Sequence, residues 1–129
     1  MTDPITDMLN QIRNAQAVGK TEVVLHFSKL KYEVAMLLSK EEFIGDVKKV
    51  KKGKGNLLKI NLKYDNGVPA IEGIKRVSKP GQRIYAGTKE IKRVRGGFGM
   101  SVVSTPKGLM TNTDARKSRL GGEVLLEVW

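Results

Sequence analysis

The segment "STPKG", residues 104 to 108, places two hydroxyls, a cation and a glycine within five positions. Ser104 and Thr105 can donate to or accept from ribose 2′-hydroxyls and base edges, Lys107 can meet a phosphate, and Gly108 removes side-chain bulk where a ligand must come close. The same residue types build ordinary hairpin turns, and composition alone does not choose between the two readings. Other constellations carry less chemistry. The lone His26 lies within the apolar stretch "TEVVLHF", and no serine or carboxylate spacing makes a recognisable catalytic pair with it. Glu123 and Glu127 fall on one face of a strand pattern with nothing around them to raise a pKa, so a solvated edge is expected. "RGGFGM", residues 95 to 100, has the glycines of a phosphate loop but lacks both the Lys-Ser/Thr of a P-loop and the dinucleotide spacing. It is expected to be a turn feeding the next strand.

The charge of the chain narrows the ligand. With 24 Lys+Arg against 13 Asp+Glu in 129 residues, the net charge is +11, and a polyanionic partner is the first to consider. A membrane surface ranks behind nucleic acid, because no apolar run approaches the roughly 20 residues of a spanning helix and no strongly amphipathic basic helix is evident. The start "MTDPITDMLNQ" has acids where a secretory leader carries lysines, and a cytoplasmic location is expected. The absence of cysteine excludes disulfides, zinc knuckles and thiol catalysis, and no cofactor or metal is indicated. The aromatic residues are scattered rather than paired on adjacent strands, which argues against a stacking platform for single strands. No helix gathers Arg and Asn on one face for major-groove readout. Recognition of folded RNA by shape remains.

The elements that must hold these residues follow from pattern. Asp3 is suited to cap a helix with Pro4 at its first position and Ile5, Met8, Leu9 and Ile12 on one face, ending at Gly19. Residues 21 to 27 read as a strand, and Ser28 then caps a second helix with a stripe of Leu30, Val34, Leu37 and Leu38. Strands are expected over "FIGDVKKV", through Leu58, Ile60 and Leu62, and over "VPAIEGIKRV" beyond a hairpin turn at Asn66-Gly67, with residues 48 to 56 as a solvated basic loop. Pro80-Gly81 predicts a type II turn followed by a strand at Arg83 to Tyr85. "MSVVST", "PKG" and "LMT" read as strand, turn and return strand. Thr111 and Asp114 resemble a capping box for a helix over residues 112 to 119, broken by Gly121-Gly122. In the final strand Val124, Leu126 and Val128 are expected on one face, with Glu123, Leu125, Glu127 and Trp129 on the other. A boundary near residues 70 to 80 divides the chain into residues 1–70, an N-terminal α/β unit, and residues 71–129, a mainly β RNA-binding unit. Each half holds twelve Lys+Arg while the acids fall from eight to five, so the shorter second half is the more basic, +7 against +4.

At "VVSTPKGLMTNTDARKSRLGGEVLLEVW" the chain closely resembles the C-terminal signature of the bacterial small-subunit ribosomal protein S-eight family, roughly S-T-S-x-G-x-M-T-x-x-x-A-R, a short spacer and L-G-G-E. "DPITDMLNQIRNAQ", "SKLK", "RVSKPGQRIY" and "GGFGMSVVST" are similar to that family's other blocks, in the same order, so the resemblance spans essentially the whole chain. It implies an α+β protein of two small units, helix-strand-helix-strand-strand and then a mostly antiparallel β unit with a short helix. It implies a non-enzymatic structural constituent of the small ribosomal subunit, monomeric within it. Such a protein binds the central domain of small-subunit (16S) rRNA at an irregular helix and helps assemble the platform, near ribosomal proteins S-five and S-twelve.

Carried onto this sequence, the resemblance makes Ser104, Thr105, Pro106, Lys107 and Gly108 the RNA-binding loop. Gly121, Gly122 and Glu123 form a second close approach, Tyr85 is a supporting aromatic, and Arg83 and Arg116 join the set. Asp3, Pro4, Arg13, Asn14, Lys29 and Lys31 form an N-terminal RNA-facing set. Pro106 stands where the family has its second serine, which deletes a hydroxyl and a backbone N–H. Two other classes make distinct demands. A dedicated translational repressor would bind an mRNA hairpin of its own operon, and a basic enzyme of RNA metabolism would depend on His26.

Overall fold

The computed structural model describes residues 3–129, which form two compact units: residues 4–71, and residues 72–129 together with Asp3. The N-terminal unit opens with α1, Pro4–Ala17, whose buried line Ile5, Met8, Leu9, Ile12 and Ala15 keeps helical spacing. Gly19 closes it at φ +71°, with the Gly19 and Lys20 N–H groups donating to the Gln16 and Ala15 carbonyls. β1, Glu22–His26, alternates exposed and buried, with Val23 and Leu25 inward and His26 outward. Ser28 then caps α2, Lys29–Lys40, its side chain accepting from the Lys31 N–H at 3.1 Å. The buried face of α2 is Val34, Ala35 and Leu38; Leu30, expected inward, is 39% exposed because the covered part of the helix begins only at its second turn.

β2, Val47–Lys52, and β3, Gly55–Asn61, complete a three-stranded antiparallel sheet ordered β1-β3-β2. Here the expected loop over residues 48 to 56 is replaced by pairing that runs unbroken from Val47↔Ile60 to Lys52↔Gly55. Only Gly53-Lys54 is left as the turn, with Gly53 at φ +60°. Lysines are tolerated on β2 because it is an edge strand, where charge deters pairing with another chain. The expected strand from Phe43 starts only at Val47. Asn66 and Gly67 both have positive φ, 51° and 80°, as a type I′ hairpin turn requires, and join the short strands β4, Tyr64–Asp65, and β5, Val68–Pro69.

The C-terminal unit is a five-stranded antiparallel sheet built around β10, Gly122–Val128. β6, Ile74–Arg76, and β7, Tyr85–Ala86, pair successive halves of one edge of β10. β8, Met100–Thr105, pairs the other edge, and β9, Gly108–Thr111, pairs β8. α3, Asn112–Lys117, is capped by Thr111, whose hydroxyl accepts from the Asp114 N–H at 3.1 Å. Ala115 of α3 joins Ile91 and Val103 in a buried cluster flanked by Ala86 and Met110.

Some details depart from pattern. "VPAIEGIKRV" does not run as one strand, since β5 ends at Pro69 and β6 begins at Ile74. Lys79 and Gln82 close a turn over Pro80-Gly81 by two backbone bonds of 2.9 Å, but Gly81 lacks the positive φ of type II. Leu125 and Leu126 are both buried because a β-bulge interrupts β10 between Val124 and Leu126, breaking the simple alternation. α3 stops at Lys117 rather than 119: Arg119, at φ 56°, ends it before Gly121-Gly122 is reached.

Candidate nucleic-acid interface

The hairpin joining β8 to β9 closes at the Thr105↔Gly108 pair, leaving Pro106 and Lys107 as a two-residue tip. The Pro106 ring fixes φ near −65° at the first tip position, and Gly108 follows at φ +110°, a conformation that a β-carbon would strain. Thr105 is buried, and its Oγ1 accepts from the Lys107 N–H at 3.1 Å and donates to the Gly108 carbonyl at 2.8 Å. Its hydroxyl proton is therefore committed inside the loop, and the residue shapes the tip. Pro106, Lys107 and Gly108 are exposed.

One residue earlier, Ser104 faces the other side of the sheet. It stands opposite Leu109 on β9 and Glu123 on β10, and Glu123 stands opposite Tyr85 on β7. Directly opposed residues of antiparallel strands share a face, so Tyr85, Glu123, Ser104 and Leu109 form one row across four strands. Tyr85 is 68% exposed, and the Ser104 hydroxyl finds no hydrogen-bond partner among the described residues. An exposed phenol ring and a free hydroxyl are what contact with a ribose or base edge needs.

Glu123 is the fixed point of this row. Its carboxylate accepts from the hydroxyl of the fully buried Ser78 and, at 3.1 Å, from the Arg83 guanidinium, while Ser78 Oγ accepts from the Ile84 N–H at 3.1 Å. Burial works against the charged form, but the bonds from Ser78 and Arg83 and the charges of Arg83 and Arg76 outweigh it, holding the carboxyl below its ordinary value. The expected solvated edge is thus corrected: Glu123 is half-buried and hydrogen-bonded, and it positions Arg83, which remains half-exposed. Ser78 was not legible as part of this site; its only signal is its place just before the Lys-Pro-Gly turn.

Gly121 and Gly122 have an internal reason to be glycine. A β-carbon on Gly121 would lie 2.5 Å from the Ala86 carbonyl oxygen, and one on Gly122 would lie 2.0 Å from that of Ser104. They let β10 pass between β7 and β8 and so keep the row in register. Asp3 pairs with Arg76, Nε to Oδ2 3.1 Å, both side chains largely buried, so its carboxylate is committed within the chain. Arg116 is exposed on α3 and lines an open cleft of about 560 Å³ with Arg93, Gly97, Gly99, Asn112, Thr113 and Lys117.

In the N-terminal unit, Pro4, Arg13 and Asn14 are exposed on α1, with Arg13 bonded to Asn10 Oδ1 at 2.8 Å. Lys29 and Lys31 occupy the first turn of α2, which carries no acidic residue. Cations there oppose the helix dipole, an arrangement that a bound anion relieves. Lys49 Nζ sits 4.7 Å over the Phe27 ring, which contacts Tyr32 at 5.7 Å between centroids. Pairing of β2 brings Lys49 there, which the expected loop hid.

The model of the ribosomal protein S8 family matches residues 3–129. A small ribosomal subunit protein uS8 of Caldanaerobacter subterraneus is 51% identical over 130 residues, covering 100% of this chain and 98% of its own. The proteins of the same name from Persephonella marina and Bacillus cereus are each 49% identical, again across 100% of this chain and 99% and 98% of theirs.

Proposed function

This chain belongs to the ribosomal protein S8 family, and we propose that it is a primary rRNA-binding protein of the small ribosomal subunit, bound to an irregular helix in the central domain of 16S rRNA. It is a ribosomal protein and not an enzyme. The observation that carries the RNA-binding reading is the row Tyr85, Glu123, Ser104 and Leu109, flanked by the hairpin tip. The row offers a phenol ring, a free hydroxyl and an Arg83 guanidinium held by Glu123. The tip adds Lys107 beside the exposed backbone of Gly108. These are groups for close contact with ribose and base edges, whereas Lys29, Lys31 and Arg116 supply phosphate contacts that position the protein without choosing a sequence.

Within the assembled subunit, the same reading makes ribosomal proteins S-five and S-twelve its neighbours, with platform assembly its contribution and the cytoplasm its location. An mRNA hairpin of similar shape would meet the same row, which is how repression of its own operon would operate. Hydroxyl-radical footprinting of the full chain on intact 16S rRNA tests the assignment. Protection is expected at one irregular helix of the central domain, together with the nucleotides beside it. Protection spread evenly over the rRNA, or centred in another domain, overturns it.

A further inference from the structure

The segment "RGGFG", residues 95 to 99, is not used by the row, yet Arg95, Gly97 and Gly99 in it are tied to their surroundings. Val94 and Gly99 close it as an isolated bridge, with the Gly97 and Gly99 N–H groups each donating to the Val94 carbonyl at 3.0 Å. A β-carbon on Gly99 would lie 2.6 Å from the Val128 carbonyl oxygen and 2.8 Å from Trp129 Cβ, so only glycine lets the loop seat against the end of β10. Arg95, at φ +50°, lays its guanidinium over the Trp129 ring, 4.2 Å from the centroid. This pinned loop carries Phe98 at 89% exposure, the most exposed large hydrophobic side chain among the described residues.

Phe98 lies in the chain between Gly97 and Gly99, two of the residues lining the 560 Å³ cleft, and its own ring is open to solvent rather than part of that lining. Every other lining residue is neutral or cationic, and Arg93, Arg116 and Lys117 make no ion pair among the described residues. Asn112 is occupied structurally, accepting from the Ser101 N–H at 3.1 Å and donating to the Lys92 carbonyl at 3.2 Å, which holds the wall of the cleft. The volume lies within the range of roughly 300–1,000 Å³ typical of small-ligand sites. Unpaired cations select an anion, and an exposed ring beside them selects a π-face. A nucleotide with a free base offers both.

We propose that this cleft and Phe98 form a second RNA contact, which takes an unpaired nucleotide with its base stacked on Phe98 and its phosphate held by Arg93, Arg116 and Lys117. It sits at the opposite end of β8 from the hairpin tip, roughly 16 Å away at about 3.3 Å per residue. The protein thus grips structured RNA with one end of the sheet and a neighbouring single-stranded nucleotide with the other. This rests on the rRNA-binding reading above.

The test compares the full chain on two RNAs at fixed salt: the irregular helix alone, and the same helix with unpaired flanking nucleotides long enough to reach the cleft. The extended RNA is expected to bind more tightly. Phe98→Ala should remove that gain, roughly five- to a hundredfold for the missing base stack, with no change on the bare helix. Phe98→Trp should retain the gain, and Arg93→Gln with Lys117→Gln should lower the salt dependence on the extended RNA alone. A wild-type protein that binds the helix but gains nothing from the extension overturns this inference and leaves the rRNA reading standing. Failure to bind the helix at all brings down that reading, and this inference with it. Loss of Phe98→Ala protein from reconstituted subunits, with both RNA affinities intact, would overturn the inference by making the loop a protein contact.

Discussion

The row on the C-terminal sheet and the β2 edge of the N-terminal unit are both candidates for touching RNA, and they are built in opposite ways. Around the row, several positions are set by neighbours: Ser78 and Arg83 hold Glu123, Gly122 lets β10 approach Ser104, and in the flanking tip Thr105 ties the Lys107 and Gly108 backbone together. On β2, Lys48, Lys49, Lys51 and Lys52, with Lys54 in the following turn, are exposed and form no ion pair among the described residues, although Lys49 rests over the Phe27 ring. A fixed donor discriminates by geometry because a ligand of the wrong shape leaves it unpaired, while a mobile ammonium attracts any phosphate. On the proposed function, this difference would separate selectivity from affinity within one chain, and it can be attacked from either side.

The largest effect is expected from Gly122→Ala, which places a methyl against backbone that has no free side chain to turn away. Overpacking of this kind costs about 1–3 kcal/mol, and the upper end is expected here because the obstacle is the Ser104 carbonyl oxygen. Urea denaturation should show the loss, and binding to the irregular helix should fall with it while binding to an unrelated duplex falls less. If stability drops but the ratio of the two affinities holds, the register of the row is not what confers selectivity.

Next comes the direct contrast. Ser104→Ala removes a hydroxyl without a partner among the described residues, so stability should stay within about 0.5 kcal/mol. Affinity for the irregular helix should fall by a hydrogen bond's worth, about 1 kcal/mol, and affinity for the unrelated duplex should not change. Replacing Lys48, Lys49, Lys51 and Lys52 by Gln should weaken both ligands alike and flatten the dependence of log K on log salt, by about one unit of slope for each phosphate that is no longer neutralised. Equal losses for both RNAs in Ser104→Ala would dissolve the contrast, and so would selective losses in the lysine variant.

What could be read from sequence follows the range of the interactions involved. Helix caps at Ser28 and Thr111, the stripe of α1 and the Asn66-Gly67 turn depend on residues at most a few positions apart, and each is in place. The bulge at Leu125, the continuation of β2 through Lys52 and the bond from Ser78 to Glu123 depend on a strand or residue distant in the chain. Likewise the tip at Pro106-Lys107 was legible as a turn, but not that Thr105 spends its hydroxyl there. The row joins positions 85, 104, 109 and 123 through pairing register alone, which no local pattern encodes. The family resemblance named three of those four, and Leu109 came only from the register.

The smallest expected effect lies in the pH dependence of the row's anchor. The Glu123 carboxyl is held below its unfolded value, so the stability it contributes is fully present above that value, about 4.5, and is lost as pH falls through the folded one. Glu123→Gln should therefore be less stable than wild type at neutral pH, and the gap should close only in acid below about 4.5. Half of Arg83 is open to solvent, which screens its charge, so the gap at neutral pH should be modest and should shrink with salt. Ser78→Ala removes the buried bond to Glu123 and leaves the Ile84 N–H without its acceptor, and it should reduce the salt-independent part. If the wild-type and Glu123→Gln stability curves ran parallel from about pH 3 to 7, Glu123 would be spacing the strands rather than holding Arg83 by its charge. The row would then owe its order to the two glycines, and its likeness to the lysine edge would be closer than its hydrogen bonds imply.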